Sequence, residues 1–318
     1  MSEIRKVMIT GGGGMVGRNL LEHPGLQACE LLAPRQAELD LRDGEAVRDY
    51  LATHRPDLVI HAAGRVGGIQ ANMAEPVAFL LDNLDMGRQL VSAAQACGVT
   101  RLLNLGSSCM YPRGHDEPLR EEQVLQGELE PTNEGYALAK VVTQRLCQYL
   151  MRQHPGLQYK TLVPCNLYGR HDKFDPRHSH LIPAIIHKLA EAMRLGQDTV
   201  EIWGTGEARR EFMYAEDLAD CVARCITHFD TLPELMNVGL GHDHTINEYY
   251  QAAAEVMGFE GRFTHDLSRP VGMARKLVSI ERQQAWGWQA RHSLREGLAK
   301  TLAFYRTQAP APAQATPH

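Results

Sequence analysis

Hydrophobic and polar positions along the chain alternate between two periods. Short apolar runs at 6–10, 29–32, 57–62, 101–107 and 159–163 have the length and composition of buried strands. Between them, 16–22, 44–54, 76–97 and 135–152 place apolar residues three and four apart, which predicts amphipathic helices. Gly98 follows the third of these helices as its stop signal. Strands that alternate with helices pair in parallel, with crossover helices on both faces. The pattern therefore predicts an α/β fold with a doubly wound parallel sheet. After Pro164 the rhythm loosens, and helices are expected at 179–193, 216–227, 246–257 and 293–305, separated by Gly- and Pro-containing loops. The last residues, 308–318, are rich in Pro and Ala without a period, and are expected to form a disordered tail.

The first strand runs into Gly11-Gly12-Gly13-Gly14-Met15-Val16-Gly17, and a helix starts at once. Gly11, Gly14 and Gly17 suit the turn that binds a dinucleotide. The first makes the bend, the second lets the backbone approach a pyrophosphate, and the third lets helix pack on strand. Met15 and Val16 open the helix whose N–H groups would face the anion. The second strand ends in Leu31-Leu32-Ala33-Pro34-Arg35, with no acid to bind a ribose 2′-hydroxyl. Arg35 can pair with a 2′-phosphate, which favours NADP(H) over NAD(H).

Composition narrows the partners. The 318 residues carry 33 Lys plus Arg against 38 Asp plus Glu, a net charge of −5. A globally basic nucleic-acid binder is not expected. No run of about 18 apolar residues is present, so no membrane span is expected. No basic-then-apolar leader opens the chain, and the 7 cysteines are scattered, which points to reduced thiols and a cytoplasmic location. Cys221 and Cys225 lie one helical turn apart, but no second pair stands at a zinc-site spacing, so no metal is expected.

Tyr136-Ala137-Leu138-Ala139-Lys140 places a phenol and an ammonium on one helical face. A nearby ammonium favours phenolate, so Lys140 is expected to lower the pKa of Tyr136 from its reference of about 10. Ser107 ends the strand about thirty residues upstream. The glycine loop, Ser107, Tyr136 and Lys140, in this order, resemble the extended short-chain dehydrogenase/reductase family. The resemblance implies that Ser107, Tyr136 and Lys140 carry hydride transfer, with Tyr136 and Lys140 also contacting the cofactor. It further implies a homodimer formed through the helices at 76–97 and 135–152. It divides the chain into a cofactor-binding part, 1–165 plus about 211–240, and a smaller, discontinuous substrate-binding part, about 166–210 and 241–307.

The segment Gly106-Ser107-Ser108-Cys109-Met110-Tyr111 lacks the acidic element of the sugar-nucleotide dehydratases and carries a thiol where simple 4-epimerases have an inert residue. That cysteine is similar to the one in the GDP-L-fucose synthases, the GDP-4-keto-6-deoxymannose 3,5-epimerase-4-reductases. Val66-Gly67-Gly68-Ile69-Gln70-Ala71-Asn72, the run from Leu129 to Tyr136, Asn166-Leu167-Tyr168-Gly169, Ser179-His180-Leu181 and Trp203-Gly204-Thr205-Gly206 resemble the same group. Epimerisation beside a C4 ketone needs an acid and a base on opposite faces, with pKa values near working pH. Cys109 is expected to be the base and His180 the acid, with His178 as a rival. Arg210 and Lys276 are expected to contact the diphosphate, Trp203 the ribose or guanine, and His187, Lys188 and Asn166 other parts of the substrate. Two departures matter: Gly13 stands where bacterial relatives often have a base, and Cys165 stands where threonine is frequent. The alternatives are a GDP-L-colitose or GDP-heptose branch enzyme and, more remotely, a non-catalytic NADP-binding sensor.

Overall fold

The computed structural model describes residues 3–175, 179–268 and 273–308. The first half builds a parallel sheet from β1 (Lys6–Thr10), β2 (Glu30–Leu32), β3 (Leu58–His61), β4 (Arg101–Leu105) and β5 (Gln158–Pro164). Helices α1 (Met15–Glu22), α2 (Gly44–His54), α3 (Ile69–Ala74), α4 (Pro76–Ala96) and α5 (Glu134–Gln153) connect them. The elements expected in this half are present, with ends displaced by at most two residues. The strand foreseen at 101–107 stops at Leu105, because Ser107 caps a single tight turn over Ser108–Met110.

Beyond the sheet lie β6 (Asn166–Tyr168), α6 (Leu181–Leu195), β7 (Thr199–Trp203), β8 (Arg209–Arg210), β9 (Phe212–Tyr214) and α7 (Ala215–Thr227). Then β10 (Leu235–Val238) returns to the main sheet, whose order is β10-β5-β4-β3-β1-β2, with every pairing parallel. The chain closes with β11 (His244–Thr245), α8 (Ile246–Met257), β12 (Arg262–Asp266), β13 (Arg275–Lys276), α9 (Glu281–Ala285) and α10 (Leu294–Gln308). Gln308, placed in the tail by composition, ends α10; the rest of that tail, and His178, lie outside the described residues.

The period of two explains the two cores of the sheet. Val7 and Ile9 point to one face, where they pack with Leu20 of α1 and Leu218 and Val222 of α7. Met8 points to the other, with Val47 and Leu51 of α2 and Leu90 of α4. A strand buried on both faces reads as a continuous apolar run, as these do. A third core joins α6, α8 and α10 through Ile182, Ile186, Ala253 and Leu298. The segment between β13 and α10 leaves this third core. Val278 and Trp288 pack into the sheet's core.

Candidate active site

The glycine loop forms a cradle. Gly11 adopts φ +72°, in the left-handed region, and its carbonyl accepts from the Gly14 N–H at 3.0 Å. A Cβ on Gly11 would sit 2.7 Å from Ala63 Cα, and one on Gly17 would drive into the Gly11 carbonyl. Gly14 caps α1 without any side-chain bond, so the helix's first N–H groups are left to an external anion. Met15 and Val16 line the mouth of a cavity of about 510 Å³. These features fit a dinucleotide's pyrophosphate. Arg35 lies exposed on the loop after β2, its N–H donating to Glu38 Oε2 at 2.9 Å.

The same cavity holds Ser107, Cys109, Tyr136, Lys140 and His180. Lys140 is buried and donates from Nζ to the Leu105 carbonyl at 3.0 Å, while Nζ stands 5.8 Å from the centre of the Tyr136 ring. Enclosure brings the Lys140 ammonium down to about 8. It also pushes the Tyr136 phenol up, aided by the nearby Cys109 charge and opposed by a Ser107 hydrogen bond. The expected lowering of Tyr136 by Lys140 is therefore corrected. The ammonium is spent on a carbonyl, and desolvation penalises both charged forms.

Cys109 follows Ser107 on the tight turn, its N–H donating to Ser107 Oγ at 3.2 Å. Burial pushes its thiol up. The Lys276 charge, with hydrogen bonds from Ser107, Lys276 and Asn133, outweighs this and leaves it below the ordinary value. Cys165 also lines the cavity but differs in chemistry. Burial, reinforced by the Glu211 charge, drives it well above the ordinary value, so it remains a thiol. His180 sits at the N-cap of α6, with no capping bond from its side chain. Burial, then the charges of Lys173 and Lys276, hold it below its ordinary pKa, so the imidazole is neutral at pH 7.

The expected substrate contacts divide. Asn166 lines the cavity and donates to the Glu211 carbonyl at 3.0 Å. Lys188 reaches across the Trp203 ring, 5.4 Å from its centre, and both line the cavity. Arg210 and Lys276 stand in register on neighbouring strands and line it too. His187 is not among the lining residues. One step along α6 rotates it away from Lys188, and its Nδ1 meets the Tyr305 hydroxyl at 3.1 Å. Lys276, expected at the diphosphate, lines the cavity and donates from Nζ to Cys109 Sγ at 3.2 Å.

Three contributors were given no role from the sequence. Asn133 donates to Cys109 Sγ at 3.1 Å; it lies three residues before Tyr136 at a helix start, a spacing that carries the signal. Ser179 Oγ, on the cavity wall, is buried without a hydrogen-bond partner and is available to a ligand hydroxyl. Asp243 is buried and joins Arg209 at 2.7 Å to Arg275 at 2.6 Å. Nothing in its sequence neighbourhood signals that.

Residues 7–239 match the NAD dependent epimerase/dehydratase family. The chain belongs to that family. It is 50% identical over 300 residues to a GDP-L-colitose synthase of Yersinia pseudotuberculosis, covering 94% of this chain and 97% of that protein. It is 48% identical over 307 residues to a GDP-L-fucose synthase of Azorhizobium caulinodans, covering 96% and 98%. Among solved structures, a GDP-mannoheptose C4 reductase of Campylobacter jejuni with NADP bound superposes with a TM-score of 0.85, at 28% identity over 96% of this chain and 99% of that one. The doubly wound reading of the fold stands.

Proposed function

We propose that this protein epimerises GDP-4-keto-6-deoxy-D-mannose at C3 and C5 and then reduces C4, giving GDP-L-fucose. The observation that carries the reading is one cavity holding both a Ser107–Tyr136–Lys140 set and a Cys109–His180 pair, with Cys109 held below its ordinary pKa. The relatives that share its full length are named for this chemistry. Bound NADPH supplies the hydride; Gly11, Gly14, Gly17, Met15, Val16 and Arg35 would hold it, with Lys140 at its ribose.

Each protein group then has a task. The Ser107 and Tyr136 hydroxyls donate to the C4 oxygen and stabilise negative charge there. The Cys109 thiolate takes the proton from carbon, and the C–H electron pair moves into the enolate. His180 returns a proton to the opposite face. In the free protein burial, then the charges of Lys173 and Lys276, lower its pKa, so it takes up a proton before it can return one. Tyr136 finally protonates the C4 oxygen. Arg210 and Lys188 meet the diphosphate, and Trp203 the guanosine end. The core around α6, α8 and α10 is the substrate-binding part in this reading.

A GDP-L-colitose reaction is the second reading, favoured by the 50% identity to the Yersinia protein. A 3-deoxy substrate has no stereocentre at C3, so only C5 would invert. Incubation with either 4-keto sugar and NADPH, followed by NMR of the product, separates the two. The mechanism is tested in heavy water without cofactor turnover. Wild type should wash deuterium into C3 and C5, and Cys109→Ser should not, since a hydroxyl's pKa is far too high. Tyr136→Phe should keep part of the exchange and lose NADPH oxidation. Undiminished exchange in Cys109→Ser would assign the base elsewhere.

The dimer also belongs to this reading. α4 and α5 pack side by side and leave Val77, Leu81, Leu138, Val142 and Tyr149 exposed. An apolar face of this kind suits a second copy of the chain. Among the described residues no helix is long and apolar enough to cross a membrane.

A further inference from the structure

The Cys109 sulfur is approached by two donors from distant parts of the chain. Lys276 Nζ, on β13, lies 3.2 Å from it, and Asn133 Nδ2, at the start of α5, lies 3.1 Å away. An ammonium has three protons to donate and no lone pair to accept one, and an amide NH2 likewise only donates. A thiol has a proton to give, which the ammonium cannot take. A thiolate has lone pairs for both. The Lys276 ammonium, which can only donate, makes the arrangement complementary to S⁻.

The position of Lys276 is fixed by the fold. β13 pairs with β8 so that Arg275 lies beside Arg209 and Lys276 beside Arg210. Arg209 and Arg275 both bind Asp243, on one side of this small sheet. The alternation of a strand then turns Arg210 and Lys276 to the other side, where both line the cavity. Lys276 thus reaches the sulfur from a backbone that a buried carboxylate holds in place.

We propose that Lys276, assisted by Asn133, is the positioning residue that keeps Cys109 as a thiolate, and that this is its task in place of a contact to the diphosphate. The inference rests on the reading of Cys109 as the base that removes the C3 and C5 protons. The other titratable or charged groups on the cavity wall are Tyr136 and Lys140 on α5, His180 and Lys188 at α6, Arg210 on β8, Glu130 before α5, Cys165 after β5, and Tyr111 and Tyr250, whose phenols burial pushes up. Tyr136 and Cys165 are uncharged near neutrality, since both are pushed up by burial. Lys276 is the cation that touches the sulfur.

The test uses the free, full-length protein with iodoacetamide. The Cys109 thiolate displaces iodide and forms a thioether, and the Cys109 peptide is quantified by mass spectrometry so that the other cysteines do not interfere. An opposite charge at this distance lowers a pKa by about 1–3. Lys276→Met should therefore raise the apparent pKa of Cys109 alkylation by about that much and slow the reaction at pH 7 by about tenfold or more. Lys276→Arg, which keeps the charge, should retain most of the wild-type rate. Asn133→Ala should raise the apparent pKa by less than Lys276→Met. At pH values above the variant's own apparent pKa, the alkylation rates of wild type and Lys276→Met should converge, which separates a charge effect from a change in access.

An unchanged apparent pKa in Lys276→Met would overturn the proposal. So would a Lys276→Met variant whose only defect is a raised KM for the GDP-sugar at every pH, the signature of a diphosphate contact. Because alkylation needs no substrate, its outcome is independent of the functional reading. A pKa shift without deuterium wash-in by wild type would overturn the epimerase and keep the thiolate. Wash-in by wild type without a pKa shift in Lys276→Met would do the reverse.

Discussion

At the residue scale, environment divides like groups into unlike roles. Cys109 and Cys165 share one cavity, yet only Cys109 has cationic and amide donors to offset its burial. Pairs of similar groups pushed apart in this way mark the division of labour in an active site. Lys140 is a second case. Its ammonium is enclosed, with a pKa near 8, so it is charged below that pH and loses charge above it. If the charged form is the one that holds the nicotinamide ribose, kcat/KM for NADPH should be level to about pH 8 and then fall toward tenfold per pH unit. Steady-state rates at saturating sugar, from pH 6 to 10, check this; a level profile to pH 10 would remove Lys140 from that task.

Arg35 belongs to the same scale. It stands exposed where an acid would select NAD, and the loop's Gly13 faces open space with no base of its own. Its charge-assisted contact with a 2′-phosphate should contribute enough that Arg35→Asp raises the KM for NADPH about tenfold or more, while NADH is little affected. Initial rates with both cofactors test it. A wild type that uses NADH equally well would make Arg35 an ordinary surface residue.

At the element scale, the short strands β8, β11 and β13 matter more than their length suggests. Each is two residues long, and β8 is the middle strand. The Asp243 carboxylate joins β8 to β13 from one side and so sets Arg210 and Lys276 on the other. Burial pushes that carboxyl up, but its bonds to Arg275 and Arg209 prevail and hold it below the usual range. A depressed pKa contributes stability that is complete above the unfolded value, about 3.9, and fades as pH falls below it. Asp243→Asn should cost about 1–3 kcal/mol at pH 7, less than for a fully enclosed pair because both arginines are partly solvated. It should also raise the KM for the GDP-sugar while NADPH binding is unchanged. Thermal unfolding of wild type and variant at pH 7 and pH 3.5 should show the gap beginning to narrow in acid.

At the scale of the whole molecule, the apolar stripe on α4 and α5 is the feature that points outward. Val142 and Leu81 are 45% and 49% exposed, and Val77 is 67% exposed. A stripe on two adjacent helices buries efficiently against its own copy about a two-fold axis. Val142→Asp should place two carboxylates in that interface and convert the dimer to monomer at micromolar concentration, with the far-UV circular dichroism unchanged. Sedimentation velocity reads this directly. A wild-type protein that sediments as a monomer would exclude this interface.

The sequence by itself determined whatever depends on neighbours along the chain. The strand runs, the helices at 44–54 and 246–257, the glycine turn and the Tyr136–Lys140 spacing are local properties. Backbone sterics and a fixed helical period decide them within a few residues. Ser107, Cys109 and His180 were singled out through the resemblance of their segments to a known family, with residue types that suit the expected chemistry. The tertiary structure decided what depends on partners distant in sequence. Lys276 lies 167 residues from the sulfur it touches, and Asp243 binds arginines 34 and 32 residues away. The displacement of His187 from the cavity depends on Tyr305, 118 residues on. The rise of the Tyr136 pKa depends on desolvation by the whole cavity wall. Charge and dielectric act through space, and a residue pattern carries no measure of the space between elements until they are packed.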